Sequence, residues 1–309
     1  MCSSDLFIMA QEATPAFRPQ AAPRKVRIAI LGAGPCGLTA ASWLAQSGYS
    51  CTIFEQFGKP GGMVAGTIPL YRLPQAGVDQ DLAIVEKLGV EIRYGQKAGR
   101  DFVLSDLRHQ GFDFFVVATG AQVGKQLGLE GEDAAGVMDA IWFLRQVRDG
   151  VPVDVGRTVI VVGAGDVAID TARTAHRLGA DVTLAYRRTI DQAPADPAEV
   201  QGLLDEDIQV AELVGPKAIA VQGGKSHALV CHPMRLGDRG PDGRRKVVPA
   251  DGDDIVLPTD ALLLAVSQRS VLDFFGADEP EITRHGAIHA DPVTLETSIP
   301  GVYAGGDTA

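Results

Sequence analysis

Along the chain, short β-branched apolar runs alternate with longer segments whose apolar residues recur every three or four positions, a pattern that predicts parallel strands joined by helices. The run at 26–31 leads straight into glycines and then into a helical pattern at 38–46, closed by Gly48; a second strand is expected at 51–54. The same order returns further on. A run at 158–162 precedes glycines, a helical pattern at 169–178 ended by Gly179, and a strand at 182–186. Helices are expected near 79–88 and 138–148, with a strand at 114–118 that rejoins the first sheet. Residues 228–236 and 246–257 read as paired strands around a turn at 241–243, a β-rich appendage whose expected role is scaffolding, ahead of an apolar strand at 261–266. The stretch 301–307 reads as a strand running into a glycine turn.

The repeated strand–glycine–helix unit carries the candidate chemistry. In the first copy Gly32 permits a tight turn, Gly34 lets the backbone approach a pyrophosphate, and Gly37 lets the helix pack on the strand; Pro35 and Cys36 complete the turn. Unpaired N–H groups at the helix start then favour a negative charge without any basic side chain. Glu55 follows the second strand, where a carboxylate can accept hydrogen bonds from both ribose hydroxyls. In the second copy Gly163 and Gly165 form the turn with Asp166 and Val167, and Ala168 replaces the third glycine, where one methyl is tolerated. Its second strand runs into Arg187 and Arg188, where a ribose-binding carboxylate would otherwise sit. This charge reversal predicts a bound 2′-phosphate, and so NADPH at the second site, with an adenine dinucleotide at the first. Asp166 is expected to point away from the pyrophosphate and cap its helix.

Composition narrows the rest. A chain of 309 residues has room for about two domains, and its 46% hydrophobic and 22% charged residues are those of a globular protein. No apolar run reaches the roughly 18 residues that span a bilayer. A net charge of −11 argues against nucleic acid or anionic lipid as partners, and a cytoplasmic protein is expected. Cys2, Cys36, Cys51 and Cys231 make no Cys-x-x-Cys pair, which removes the redox centre that a thioredoxin or disulfide reductase requires and leaves no metal ligand set. The six histidines are scattered; His285 and His289 fall on an expected hairpin with a surface role. Residues 1–23, rich in Ala, Pro and Gln, are expected to be a disordered tail, with Met9 as an alternative start.

Taken in order, GAGPCG, Glu55-Gln56, Gly61-Gly62, IPLYRLP at 68–74, ATG at 118–120, GAGDVAID, YRR and AGGD at 304–307 resemble the small flavoprotein subunit of NADPH-dependent glutamate synthase and the equivalent region of dihydropyrimidine dehydrogenase. The resemblance runs from about Val26 to the end. It implies an α/β fold of two Rossmann-like dinucleotide-binding domains, with the NADPH domain (123–267) inserted into an FAD domain made of 24–122 and 268–309. It also implies that Gly62 and Met63 lie beside the flavin, that Arg72 contacts FAD, that Thr119, Gly120 and Gly306 join the cofactor site, and that Asp307 hydrogen-bonds the ribitol. The implied activity is hydride transfer from NADPH to FAD, with electrons passed to an iron–sulfur or large catalytic subunit. Such a transfer needs position and electrostatics but no obligatory acid or base, so no catalytic residue is assigned. Three departures bear on this. Only about two dozen residues precede Val26, so iron–sulfur clusters are expected on a partner; Ser267 stands where the family commonly has glycine; and the chain stops at Ala309 where a helix is expected, as in a truncated chain that holds FAD weakly. A ferredoxin–NADP reductase of the adrenodoxin reductase type shares both glycine motifs, and a non-catalytic nucleotide-binding subunit is the alternative from another class.

Overall fold

A computed structural model describes residues 21–240, 245–276 and 278–309. The expected tail, as far as residue 20, and the turn at 241–243 lie outside these residues. The chain divides into two units, one comprising Met1–Gln122 and Arg269–Ala309 and the other Val123–Gln268.

The first unit opens with β1 (Arg27–Leu31), α1 (Pro35–Gln46) and β2 (Ser50–Glu55), then α2 (Gly62–Gly66), α3 (Gln75–Lys87), β3 (Glu91–Tyr94), α4 (Leu104–His109) and β4 (Phe114–Val117). Strand β1 is buried on both faces. Ala29 and Leu31 pack with Phe54, Phe115 and Leu107 on one side, while Ile28 and Ile30 pack with Leu38, Ala41 and Val85 on the other. That is why its sequence is continuously apolar instead of alternating, as a parallel strand between two helical layers requires.

The second unit contains β5 (Val137–Asp139), α5 (Ala140–Arg148), β6 (Thr158–Val162), α6 (Asp166–Arg177), β7 (Asp181–Tyr186), α7 (Pro197–Asp205), β8 (Gln209–Glu212), β9 (Val214–Gln222), β10 (Lys225–Arg239), β11 (Arg245–Pro249), β12 (Ile255–Pro258) and β13 (Ala261–Leu264). Its parallel sheet runs β5-β13-β6-β7-β8. Val159 and Val161 face the helices with Phe143, Ile169 and Leu203, whereas Ile160 and Val162 face Ile219, Leu229 and Cys231 of the antiparallel strands. The β-rich appendage is therefore a layer that covers the sheet face on which helices would otherwise lie.

Two expectations need correction here. Met138, expected in a helix, lies in β5, because β13 pairs with 137–139 in parallel register; Asp139 then accepts the Trp142 N–H at 2.8 Å and caps α5. The strand expected over 246–257 is two strands. β11 pairs with the far half of β10 and β12 with its near half, and the acidic, glycine-containing stretch 251–254 separates them.

After the second unit the chain returns to the first and ends in β14 (Val302–Ala304), which pairs in parallel with β4. The first sheet is thus β14-β4-β1-β2-β3. In both units the glycine turn follows the central strand at the point where strand order reverses, the place where open α/β sheets bind ligands. Among the described residues, no helix is long and apolar enough to cross a membrane.

Candidate dinucleotide sites

The two turns are built alike. Gly32 N–H donates to the Phe54 carbonyl at 2.8 Å, and Gly163 N–H donates to the Ala185 carbonyl at 3.1 Å. Their φ angles of +102° and +131° lie where glycine is favoured, and a Cβ on either would strike a backbone carbonyl, that of Ala118 or of Ala265. Gly34 and Gly165 occupy the N-cap positions of α1 and α6, and neither helix start has a side-chain cap. An uncapped helix start with its N–H groups outward can accept an anion.

In the first unit the turn meets three other loops. A Cβ on Gly62 would lie 2.8 Å from the Gly34 Cα, so a side chain at position 62 would strike the backbone of the turn. Met63, on the short helix α2, accepts the Thr67 N–H at 2.9 Å. Arg72 is partly buried, and its N–H donates to the Pro69 carbonyl at 3.0 Å. The 118–120 loop is held by Thr308, whose hydroxyl accepts the Gly120 N–H at 2.6 Å and lies 3.3 Å from the Thr119 hydroxyl. Gly306 and Asp307 sit next to Cys36; burial, and then the Asp307 charge, push the Cys36 thiol above its ordinary range. Burial alone raises Cys51, and burial with Asp254 raises Cys231, each to about 11, so these thiols are apolar core groups.

Glu55 is only 4% exposed, and its carboxylate accepts the Ala33 N–H at 2.8 Å and the Phe57 N–H at 2.9 Å. The carboxylate therefore braces the glycine turn itself. With its uncapped helix start and a buried carboxylate at the end of β2, the first turn fits an adenine dinucleotide.

In the second unit a cavity of about 990 Å³ opens over the turn, lined by Gly163, Gly165, Asp166 and Val167. Arg187, Arg188 and Ser267 line the same cavity. Ala164, 3% exposed, also faces it, and its N–H has no partner among the described residues. The equivalent N–H in the first unit is Ala33, satisfied by Glu55. An orphaned buried donor beside an open helix start fits a phosphate-bearing ligand.

Two expectations shift by small but physical amounts. Strand register pairs Leu31 with Phe54 and Val162 with Ala185, so the counterpart of Glu55 is Tyr186, with Arg187 and Arg188 one and two positions later. Tyr186 is buried and donates to the Gln192 carbonyl at 3.2 Å; the arginines emerge where the strand leaves the core. Asp166 does not cap α6, because Gly165 holds the N-cap position; its carboxylate instead accepts the Asp196 N–H at 3.0 Å and fixes the start of α7. Arg173 joins the same two helices, reaching Glu199 at 2.7 Å and Glu206 at 2.8 Å. His285 and His289 are both exposed, on a turn bridged by Ile282 and Ile288.

Ser267 has φ +134°, a conformation that L side chains rarely adopt. Its counterpart after the matching strand of the first unit is Gly120, at φ +69°. Ser267→Gly is expected to stabilise the chain by about 1 kcal/mol, within the ~1–3 kcal/mol that such backbone strain costs. Urea unfolding checks this, with Ser267→Ala as the control that keeps the Cβ and should gain nothing; equal midpoints for all three would remove strain from the account.

Comparison with known proteins places this geometry. Residues 26–309 match the family described as pyridine nucleotide-disulphide oxidoreductase. The chain is 40% identical over 285 residues to the NADP(+)-dependent formate dehydrogenase subunit beta of Moorella thermoacetica, an alignment covering 91% of this chain and 40% of that protein. It is 31% identical over 298 residues to the glutamate synthase [NADPH] small chain of Escherichia coli (strain K12), covering 91% of this chain and 63% of the relative. The chain thus spans roughly half the length of these relatives. Among solved structures, Mycobacterium tuberculosis FprA in complex with NADPH superposes with a TM-score of 0.74 at 21% identity, covering 92% of this chain and 79% of that one, and so shares the fold. With its paired glycine turns on two parallel sheets and a match over 26–309, the chain belongs to the pyridine nucleotide-disulphide oxidoreductase family.

Proposed function

We propose that the chain is the electron-input portion of a larger NADPH-dependent flavoprotein: it binds FAD in its first unit and NADPH in its second, and supplies electrons to a partner subunit. The observation that carries the reading is the opposite chemistry at two matching strand ends, with the buried Glu55 in one unit and Arg187 and Arg188 lining the cavity in the other. FAD, when bound, accepts two electrons together from a nicotinamide and can release them singly to an iron–sulfur centre.

The residues divide accordingly. Gly32, Gly34, Pro35, Cys36 and Gly37 would present the start of α1 to the FAD pyrophosphate, with Glu55 bracing the turn and facing the ribose. Gly62, Met63, Arg72, Thr119, Gly120, Gly306 and Asp307 would surround the rest of that cofactor. Gly163, Gly165, Asp166 and Val167 would hold the NADPH pyrophosphate, and the two arginines its 2′-phosphate. A partner is supported by the names of the relatives, which are a beta subunit and a small chain. The acceptor in this reading is an iron–sulfur protein and the compartment the cytoplasm; among the described residues Cys36, Cys51 and Cys231 are free thiols, which suits a reducing compartment.

The test is anaerobic mixing of the FAD-reconstituted chain with NADPH or NADH. NADPH is expected to bleach the visible flavin absorbance at concentrations at least tenfold lower than NADH. Retained FAD that neither nucleotide bleaches would mark a non-catalytic module, and equal response to both would remove the role given to the arginines.

A further inference from the structure

We infer that His232 is a third donor to the 2′-phosphate of NADPH, so that the antiparallel layer takes part in choosing the nucleotide; this rests on the NADPH reading above. His232 lies on β10 opposite Gly215 of β9. His232 and Met234 are two residues apart on one strand and so share a face, and both line the cavity that holds Arg187 and Arg188. A Cβ at position 215 would meet Met234 Sδ at 2.7 Å and His232 Cδ2 at 3.2 Å, so the glycine is what allows imidazole and thioether to lie against the β9 backbone at the cavity wall.

The backbone ties this wall to the arginines. Leu213 N–H donates to the Arg188 carbonyl at 3.1 Å, and the Leu213 carbonyl accepts the Met234 N–H at 2.7 Å. Arg188 Nε donates to the Arg245 carbonyl of β11 at 3.2 Å, which aims the guanidinium from the same layer. The Arg187 guanidinium and both ring nitrogens of His232 have no hydrogen bond and no ion pair among the described residues. Three cationic or N–H-bearing side chains on one cavity therefore hold unused donors, and a phosphate, with three terminal oxygens, is the group that can accept from all of them. The layer that the sequence marks only as scaffolding would thus contribute a specificity-determining residue to the second site.

Calorimetric titration with 2′,5′-ADP and with 5′-AMP separates the possibilities. His232→Ala is expected to weaken 2′,5′-ADP roughly tenfold, the scale of a hydrogen bond to a charged group, and to change 5′-AMP by less than twofold. His232→Gln, which keeps an N–H donor in a similar shape, should recover part of the loss and also guards against a folding defect. Equal weakening of both ligands would mean that the ring packs on adenine, and no weakening of either would mean that it touches no ligand; each result overturns the inference. The underlying NADPH reading fails separately, if the wild-type chain holds 5′-AMP as tightly as 2′,5′-ADP. If Arg188→Ala weakens 2′,5′-ADP while His232→Ala does not, only the role of His232 falls.

Discussion

Replacing Arg187 and Arg188 together by alanine is expected to raise the Kd for NADPH roughly 100-fold while leaving NADH within about threefold. Each guanidinium can offer a charge-assisted pair of hydrogen bonds worth ~1.5–3 kcal/mol, and Arg187 sits at the lower end because it is exposed. About 3 kcal/mol for the two is a factor of roughly 100 in binding. NADH lacks the group they would hold, so its affinity isolates any general damage to the cavity. Fluorescence titration of both nucleotides gives the ratio directly. A double variant that loses NADH and NADPH equally would mean that the arginines support the cavity and do not read the phosphate.

The second large effect is expected from Glu55→Ala. This removes a carboxylate that is 4% exposed and leaves the Ala33 and Phe57 N–H groups without their acceptor. An orphaned buried donor costs ~1–3 kcal/mol, and Ala33 is buried while Phe57 is only partly so, so unfolding should become easier by about 2 kcal/mol and FAD affinity should fall more than tenfold as the glycine turn loses its brace. Glu55→Gln retains one acceptor oxygen and should show about half of both effects. Denaturant unfolding and flavin fluorescence of the reconstituted protein supply the two readings; an unchanged midpoint with full FAD occupancy in Glu55→Ala would reverse the assignment of Glu55 as the brace.

Much of the scaffold could be read from the chain because steric rules act locally there. The strand at 158–162 has the same bounds in sequence and structure, and 26–31 differs from β1 by one residue. The glycine turns were legible for the same reason: only glycine tolerates the first position against the carbonyls of Ala118 and Ala265. Long-range pairing was less so. Helix α3 begins at Gln75, four residues before its expected start, since Pro74 takes the N-cap position and the first turn carries little apolar periodicity. Strand β9 went unrecognised because its sequence, VGPKAIAVQ, carries a glycine and a proline near its start and lacks strict alternation, and β-bulges shift its register against β10. The break between β11 and β12 was marked by Asp251, Gly252, Asp253 and Asp254, a run poorly suited to a strand.

At the site, residue types were legible and their offsets were not. That Tyr186 is the counterpart of Glu55 follows only once both central strands are registered on their neighbours. The φ of Ser267 is a backbone property with no sequence signature beyond the unexpected residue, and the place of His232 depends on a β9–β10 pairing that brings position 215 opposite it. Tertiary register, which no local pattern encodes, is the common cause.

The return of β14 to the edge of β4 has a consequence for how the polypeptide is made. On the ribosome the inserted unit is contiguous and can finish folding as it emerges, whereas its host must wait with one strand still unsynthesised. Throughout that interval the open edge of β4 is a template for the wrong partner, so slow translation or a scarcity of chaperones will act on the first unit before the second.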